Sequence, residues 1–225
     1  SGESMLQRRL SWRSLRGTAG ASSKFGYRRA AHVHDAVDTR RAVRSLEQIY
    51  SQAICVSPIL RVKVLEWAAA SRGMLQSKAG ELVVYSEMGE GEAGVQWAEL
   101  KKEERAMEKV LRCYGDDVSR LVDVCRQSVV FETVGDMAAC LRAMVTDGEV
   151  VLVRVKNRMR VDSSSAASAG FRNVSVNLRL VGEQARLFGV DSHVAELQLL
   201  LRPFAELMKR DGHQRYVAFR NIRGE

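Results

Sequence analysis

Apolar positions recur first at helical and then at strand spacing along this chain. Over 35–55, Val43, Leu46, Tyr50 and Ala53 form one stripe, with Arg40, Arg41, Arg44 and Glu47 mostly off it, which predicts an amphipathic helix. Pro58 suits a helical first turn, so a second helix is expected from there to about residue 78, ahead of Gly80. Residues 81–95 give a mixed signal: Leu82-Val83-Val84-Tyr85 fits a short strand, and Gly89, Gly91 and Gly94 interrupt any regular element after it. The segment 97–114, dense in Glu and Lys and stopped by Gly115, predicts the strongest helix. A shorter helix is expected over 118–124, capped by Asp116 or Asp117.

From residue 128 the period falls to two. Ser128-Val129-Val130-Phe131 predicts a strand, 134–145 a helix, and Thr146-Asp147-Gly148 a turn. In 149–157, Val151, Val153 and Val155 are expected on one strand face and Arg154 and Lys156 on the other. Residues 162–170 form a small-residue loop. Val174, Val176, Leu178 and Leu180 alternate with Ser175, Asn177 and Arg179 in a strand with one polar face. Another strand is expected over 194–201, then a helix opened by Pro203 and a helical tail over 212–219. The expected fold is α+β: a mixed β-sheet of about five strands flanked by helices, preceded by an N-terminal helical region. The expected organisation is a basic arm (1–34), a helical region (35–95) and the sheet domain (96–225).

Composition changes this picture in two places. The chain of 225 residues has 35 Lys+Arg against 27 Asp+Glu, but residues 1–34 alone carry seven basic side chains against Glu3. The positive charge therefore belongs to an arm rather than to the fold. An Arg- and Ser-rich, acid-poor arm fits an organelle-targeting segment, a mitochondrial one for instance, with the cytoplasm as the alternative location. It equally fits a basic tail that binds RNA phosphate or docks into a larger assembly. No apolar run is long enough to span a bilayer as a helix. The four cysteines form no CxxC and read as buried free thiols of a reducing compartment.

Candidate chemistry centres on V194-A-E-L-Q-L-L-L201. Glu196 and Gln198 lie two apart and share a face of an otherwise apolar strand, where a carboxylate needs a hydrogen bond, a counter-ion or a metal; the face could also lie open at a sheet edge. Arg154 and Lys156 on one strand, and Asn177 and Arg179 on the next, would converge with them if the strands are neighbours. Cations beside carboxylates suit a polyanion with Mg²⁺; a salt-bridged sheet face is the competing reading. Lys101, Arg105 and Lys109, four apart, align along the predicted helix, and Asp123 precedes a strand.

In order, these pieces resemble the synthetase domain of the RelA/SpoT family, over roughly residues 97–220. That family has a nucleotidyltransferase-type fold and transfers pyrophosphate from ATP to the ribose 3′-hydroxyl of a guanine nucleotide. ELKKEERAMEKVLR (99–112) is similar to the helix that grips ATP phosphates, which would give Lys101 and Lys109 that role. LVDVCRQSVVF (121–131) resembles the segment whose aspartate holds Mg²⁺, here Asp123. GFRNVSV (170–176) stands where the family has a ring stacking on guanine, here Phe171. AELQLLL (195–201) resembles the Glu-x-Gln strand, making Glu196 the catalytic carboxylate and second metal ligand, and Gln198 its companion. The terminal GHQRYVAFR resembles the closing helix of some eukaryotic members.

Several positions depart from the family pattern. Its arginine two residues before Lys101 is Glu99, and its serine is Arg105. Its Asp-x-x-Gly-x-Arg is D123-V-C-R-Q-S128, so Arg126 replaces the glycine and Ser128 the arginine. Its Gln-Ser-x-His is Arg172-Asn173-Val174-Ser175, and its arginine after Glu-x-Gln is Leu200. The lost phosphate contacts lead to the expectation of a degenerate domain that serves as a structural or RNA- or nucleotide-contacting subunit of a larger, organellar assembly. The retained Asp123/Glu196 pair supports the alternative, an active Mg²⁺-dependent pyrophosphokinase that uses ATP and a guanine nucleotide.

Overall fold

A computed structural model describes residues 43–89, 91–160 and 170–208. The basic arm, most of the small-residue loop and the 212–219 tail lie outside these residues. Ser45 caps helix α1 (Leu46–Ser71), its hydroxyl accepting from the Gln48 backbone N–H. The two helices expected around Pro58 are one. A proline inside a helix forfeits a backbone hydrogen bond, at a cost of about 3 kcal/mol. The buried stripe of Ala53, Val56, Leu60 and Val64 runs straight through it and holds the turns together. α1 ends at Arg72, which takes the left-handed conformation (φ 55°). At Gly73 a Cβ would stand 2.6 Å from Val129 Cγ1, so only glycine lets the chain turn this close to the sheet. The residues beyond form a hairpin of β1 (Met74–Gln76) and β2 (Leu82–Val84), not a continued helix.

Residues 97–102, expected to be helical, are not part of a helix. Helix α2 is confined to Glu103–Tyr114 and closed by Gly115 at φ 58°. The 97–102 stretch is pinned by the Tyr50 hydroxyl on the Lys101 carbonyl and by a two-way bond between the Gln127 side-chain amide and the Ala98 backbone. Buried groups beside it thus claim backbone bonds that a helix would use. The helix expected over 118–124 is a single 3₁₀ turn, Val118–Arg120.

The remaining elements are β3 (Arg126–Phe131), α3 (Val134–Thr146), β4 (Val150–Asn157), β5 (Val174–Leu180), α4 (Glu183–Leu187), β6 (Ala195–Leu201) and α5 (Arg202–Leu207). They build a six-stranded mixed sheet in the order β2-β1-β3-β6-β5-β4, in which only β3 and β6 run parallel. The α+β class is as expected, with one strand, β1, more than the sequence suggested. Val129, Phe131, Val176, Leu178, Leu197 and Leu199 face α1 and α3 in one core cluster, so the helical segment from 46 to 71 belongs to the same core as the sheet. The four cysteines are free; burial pushes the thiols of Cys125 and Cys140 up to about 12 and about 11.

On β4 the alternation is not the one expected. A bulge sets two residues, Val153 and Arg154, against Asn177, between the pairs Leu152↔Leu178 and Val155↔Val176. The extra residue reverses the parity of the strand. Val151, Arg154 and Lys156 therefore share the face of Ser175 and Asn177, whereas Val155 lies on the opposite one. An unbroken register would send Lys156 toward the helices.

Candidate functional site

The sheet face away from α1 and α3 forms the floor of a cavity of about 990 Å³. The floor is graded along the strands. In the parallel register of β3 and β6, Arg126 lies beside Glu196, Ser128 beside Gln198, and Val130 beside Leu200. This sheet face therefore passes from charged to polar to apolar in three rows, of which the first two line the cavity. At the apolar end Phe171 packs on the cluster of Met74, Val130, Leu200 and Ala205, and it also lines the cavity. β6 is an interior strand, so Glu196 and Gln198 are not on a sheet edge. The Gln198 side-chain amide donates to Glu196 Oε1 at 3.2 Å.

At the charged end Asp123 is 7% exposed. The ammonium groups of Lys101 and Lys109 both reach its Oδ2 at 2.9 Å. Burial pushes the Asp123 carboxyl up, but the Lys109 and Lys101 charges more than offset this and hold it at about 2. The same desolvation lowers Lys101 against the pull of Asp123. Lys101 precedes α2 and is not on the helical stripe expected for it. It reaches Asp123 because its backbone N–H bonds the Val124 carbonyl at 3.0 Å. Asp123 Oδ1 is buried with no hydrogen-bond partner among the described residues.

The cavity thus gathers Asp123, Glu196, Gln198, Lys101, Lys109, Lys156 and Phe171. It does not gather Arg154, which is absent from its lining; the Nε and Nη2 of Arg154 donate to Asn177 Oδ1 at 3.1 and 2.8 Å. The cavity also contains Arg105 of the aligned cations, and three residues that the sequence pattern did not assign to a site: Arg112, Arg126 and Arg158. Arg158 donates to Asn173 Oδ1 and Ser175 Oγ, at 2.9 and 3.0 Å. Carrying the period-two count one step past Lys156 would have found it. Arg126 would have emerged by counting two back from Ser128 on the same face. Among the described residues, eight Lys/Arg and four Asp/Glu line the cavity, an excess of positive charge that suits a polyanion.

No family model matches the chain, and no curated protein matches it. Solved structures do. The small alarmone synthetase 1 of Bacillus subtilis, bound to its product pppGpp, superposes with a TM-score of 0.54 at 11% identity, covering 76% of this chain and 80% of that one. A second structure of that synthetase gives a TM-score of 0.52 at 10% identity, covering 76% and 79%. The fold is that of an alarmone synthetase. At this identity the likeness concerns architecture, and within the alarmone-synthetase fold the chemistry has to be argued from the cavity itself.

Among the described residues no three His, Cys, Asp or Glu side chains cluster to hold a metal on their own, and no helix is long and apolar enough to cross a membrane. The donor set does fit a magnesium ion carried by phosphate. Mg²⁺ commonly takes one or two carboxylates and completes its shell with water and phosphate oxygens. Asp123, whose Oδ1 has no hydrogen-bond partner among the described residues, and Glu196 line the same cavity.

Proposed function

We propose that the cavity binds a nucleotide polyphosphate with Mg²⁺ and that the chain transfers pyrophosphate from ATP to the ribose 3′-hydroxyl of a guanine nucleotide. The graded floor carries this reading: cations and carboxylates for phosphate at one end, Ser128 and Gln198 in the middle at ribose height, and Phe171 on an apolar cluster for a base at the other. The neighbour that shares the fold holds pppGpp.

Asp123, with Glu196 as second ligand, would hold the Mg²⁺, whose charge would stabilise the negative charge that builds on the transferring group. Lys101 and Lys109, both held by one carboxylate oxygen, turn to phosphate oxygens once Asp123 is otherwise engaged. Lys156, aimed inward by the β4 bulge, adds a third cation. Glu196 accepts the proton of the ribose hydroxyl. The hydroxyl oxygen bonds to the β-phosphorus of ATP, the bond from that phosphorus to the α–β bridging oxygen breaks, and AMP leaves. Gln198 keeps Glu196 turned toward the floor.

The test is AMP release from ATP in the presence of Mg²⁺ and GTP or GDP, by the full chain and by Glu196→Gln. Release by the first and not by the second, with both folded, supports the reading; a chain that neither turns over nor binds either nucleotide overturns it. A second reading is favoured by the seven basic residues of 1–34 and by the replaced motif residues. It makes the domain a structural or RNA-contacting subunit of a mitochondrial or other organellar assembly, inert toward ATP plus GTP or GDP and retained there through residues 1–34.

A further inference from the structure

Arg126 is one of two cavity cations, with Lys102, whose charged group has neither an ion pair nor a hydrogen bond with any described residue, and it is the one of the two that sits on a sheet strand. Lys101 and Lys109 are engaged with Asp123, Arg105 and Arg112 with Glu108, and Arg158 with Asn173 and Ser175. Arg126 is exposed, opens β3, and is the register partner of Glu196 on the adjacent parallel strand. Its charge is also close enough to Lys101 to act against protonation of that ammonium. It therefore stands between the Lys101/Asp123 end of the cavity and the carboxylate that would take the proton.

We propose that Arg126 binds the phosphates of the donor nucleotide, at the position where the transferred group passes from donor to acceptor. The inference rests on the nucleotide reading of the cavity and assigns a residue within it. A guanidinium on an exposed residue, with N–H donors that no described residue uses, among other cavity cations and one strand from a carboxylate, fits the planar, bidentate recognition of phosphate oxygens. The sequence supports the same assignment. Positions 126 and 128 share a strand face about 6.6 Å apart, and the arginine that the resembling family carries at 128 is Ser128 here. In this chain the cation stands beside Glu196, and the residue beside Gln198 is the uncharged Ser128. This placement also sets specificity, because it puts the positive charge at the donor phosphates and leaves the middle row uncharged.

Calorimetric titration of the full chain, with Mg²⁺, by α,β-methylene-ATP as donor probe and by GDP as acceptor probe tests this. Arg126→Ala should weaken the donor analogue about tenfold or more and leave GDP within about threefold, and Arg126→Lys should recover part of the loss. Arg126→Ala/Ser128→Arg should restore donor binding less than the original residue does. Unfolding temperatures should stay together, since an exposed side chain without a partner is replaced. Equal donor binding by Arg126→Ala, or a loss confined to GDP, overturns the assignment while leaving the nucleotide reading intact. Failure of the unsubstituted chain to bind either probe overturns both.

Discussion

The two faces of the sheet draw on the same strands and do opposite work. Toward α1 and α3, alternate residues of β3, β5 and β6 are apolar and almost without exposure. On that side Lys63 bridges Glu66, Asp147 and Glu149 and Trp67 Nε1 donates to Asp147, while Gln52 Nε2, Arg61 Nε and His193 Nε2 are buried without a hydrogen-bond partner among the described residues. On the cavity side the intervening residues are Arg126, Ser128, Glu196 and Gln198, with an excess of cations around them and a buried carboxylate oxygen left without a partner among the described residues. The first arrangement is what a fold needs to be stable. The second holds repelling charges that a polyphosphate ligand would relieve. A period-two pattern lets one strand serve both purposes, because no residue has to satisfy both demands.

A pair of substitutions, one on each face, tests this division with the largest effects. Phe131→Ala on the helix side should cost about 3–5 kcal/mol of stability, read by denaturant unfolding, with any activity lost only in proportion to unfolding. Glu196→Gln on the cavity side should lower turnover about 10²–10⁴-fold, the range for removing a general base, and leave the unfolding midpoint in place. A large loss of stability from Glu196→Gln would mean that the cavity face is structural after all.

Acid separates the faces in a second way. His193 is buried against Gln52, its Nδ1 3.2 Å from Oε1, and burial pushes it down to about 4. The unfolded chain takes up that proton near the ordinary value of 6.5 while the folded one does not, so stability should fall as pH drops from about 6.5 to about 4, by about 3 kcal/mol in all. His193→Gln should flatten that limb. Asp123 acts in a lower window. Its folded value of about 2 lies below the ordinary 3.8, so its contribution is complete above pH 3.8 and is lost as pH falls toward 2, worth about 2 kcal/mol. Asp123→Asn should remove the lower limb and leave the upper one. Unfolding free energies measured from pH 7 to 2 on the three proteins decide it; a single merged limb that neither substitution alters would count against both assignments.

Legibility in the sequence divides along the same line. The period-two runs that became β5 and β6 were legible because helices cover one of their faces and polar residues mark the other. The helix boundaries around Pro58 and Lys101 were not. In each case a long-range partner overrode the local preference: the buried stripe of α1 carried the helix through the proline, and Tyr50 and Gln127 drew 97–102 out of helical form. Asp123 and Glu196 stand out in the sequence as isolated anomalies and by family resemblance, but their shared cavity depends on the parallel pairing of β3 with β6, which no local pattern encodes. Arg126 shows there as a missing glycine and as the residue two before Ser128 on its strand face. Its position beside Glu196 is a matter of register, which one residue's identity does not reveal.

The bulge in β4 sets up the finest comparison, between neighbours that the sequence treats alike. Arg154 and Lys156 lie two apart on one strand and on one face, yet only Lys156 lines the cavity, while Arg154 is bound to Asn177. A guanidinium already bonded to a buried amide gains little by turning to a ligand, whereas a cavity ammonium contributes to any bound phosphate. Lys156→Ala should therefore weaken binding of α,β-methylene-ATP by about 1–2 kcal/mol, roughly 5- to 30-fold, and reduce its dependence on salt. Arg154→Ala should change affinity by less than about 0.5 kcal/mol and instead cost about 1 kcal/mol of stability through the hydrogen bonds lost to Asn177. If both substitutions weaken binding equally, the bulge does not sort the two cations and β4 acts as a uniformly charged strand. If the roles are exchanged, with Arg154 controlling affinity, the bulge lies elsewhere along the strand and the inward face of β4 has to be reassigned.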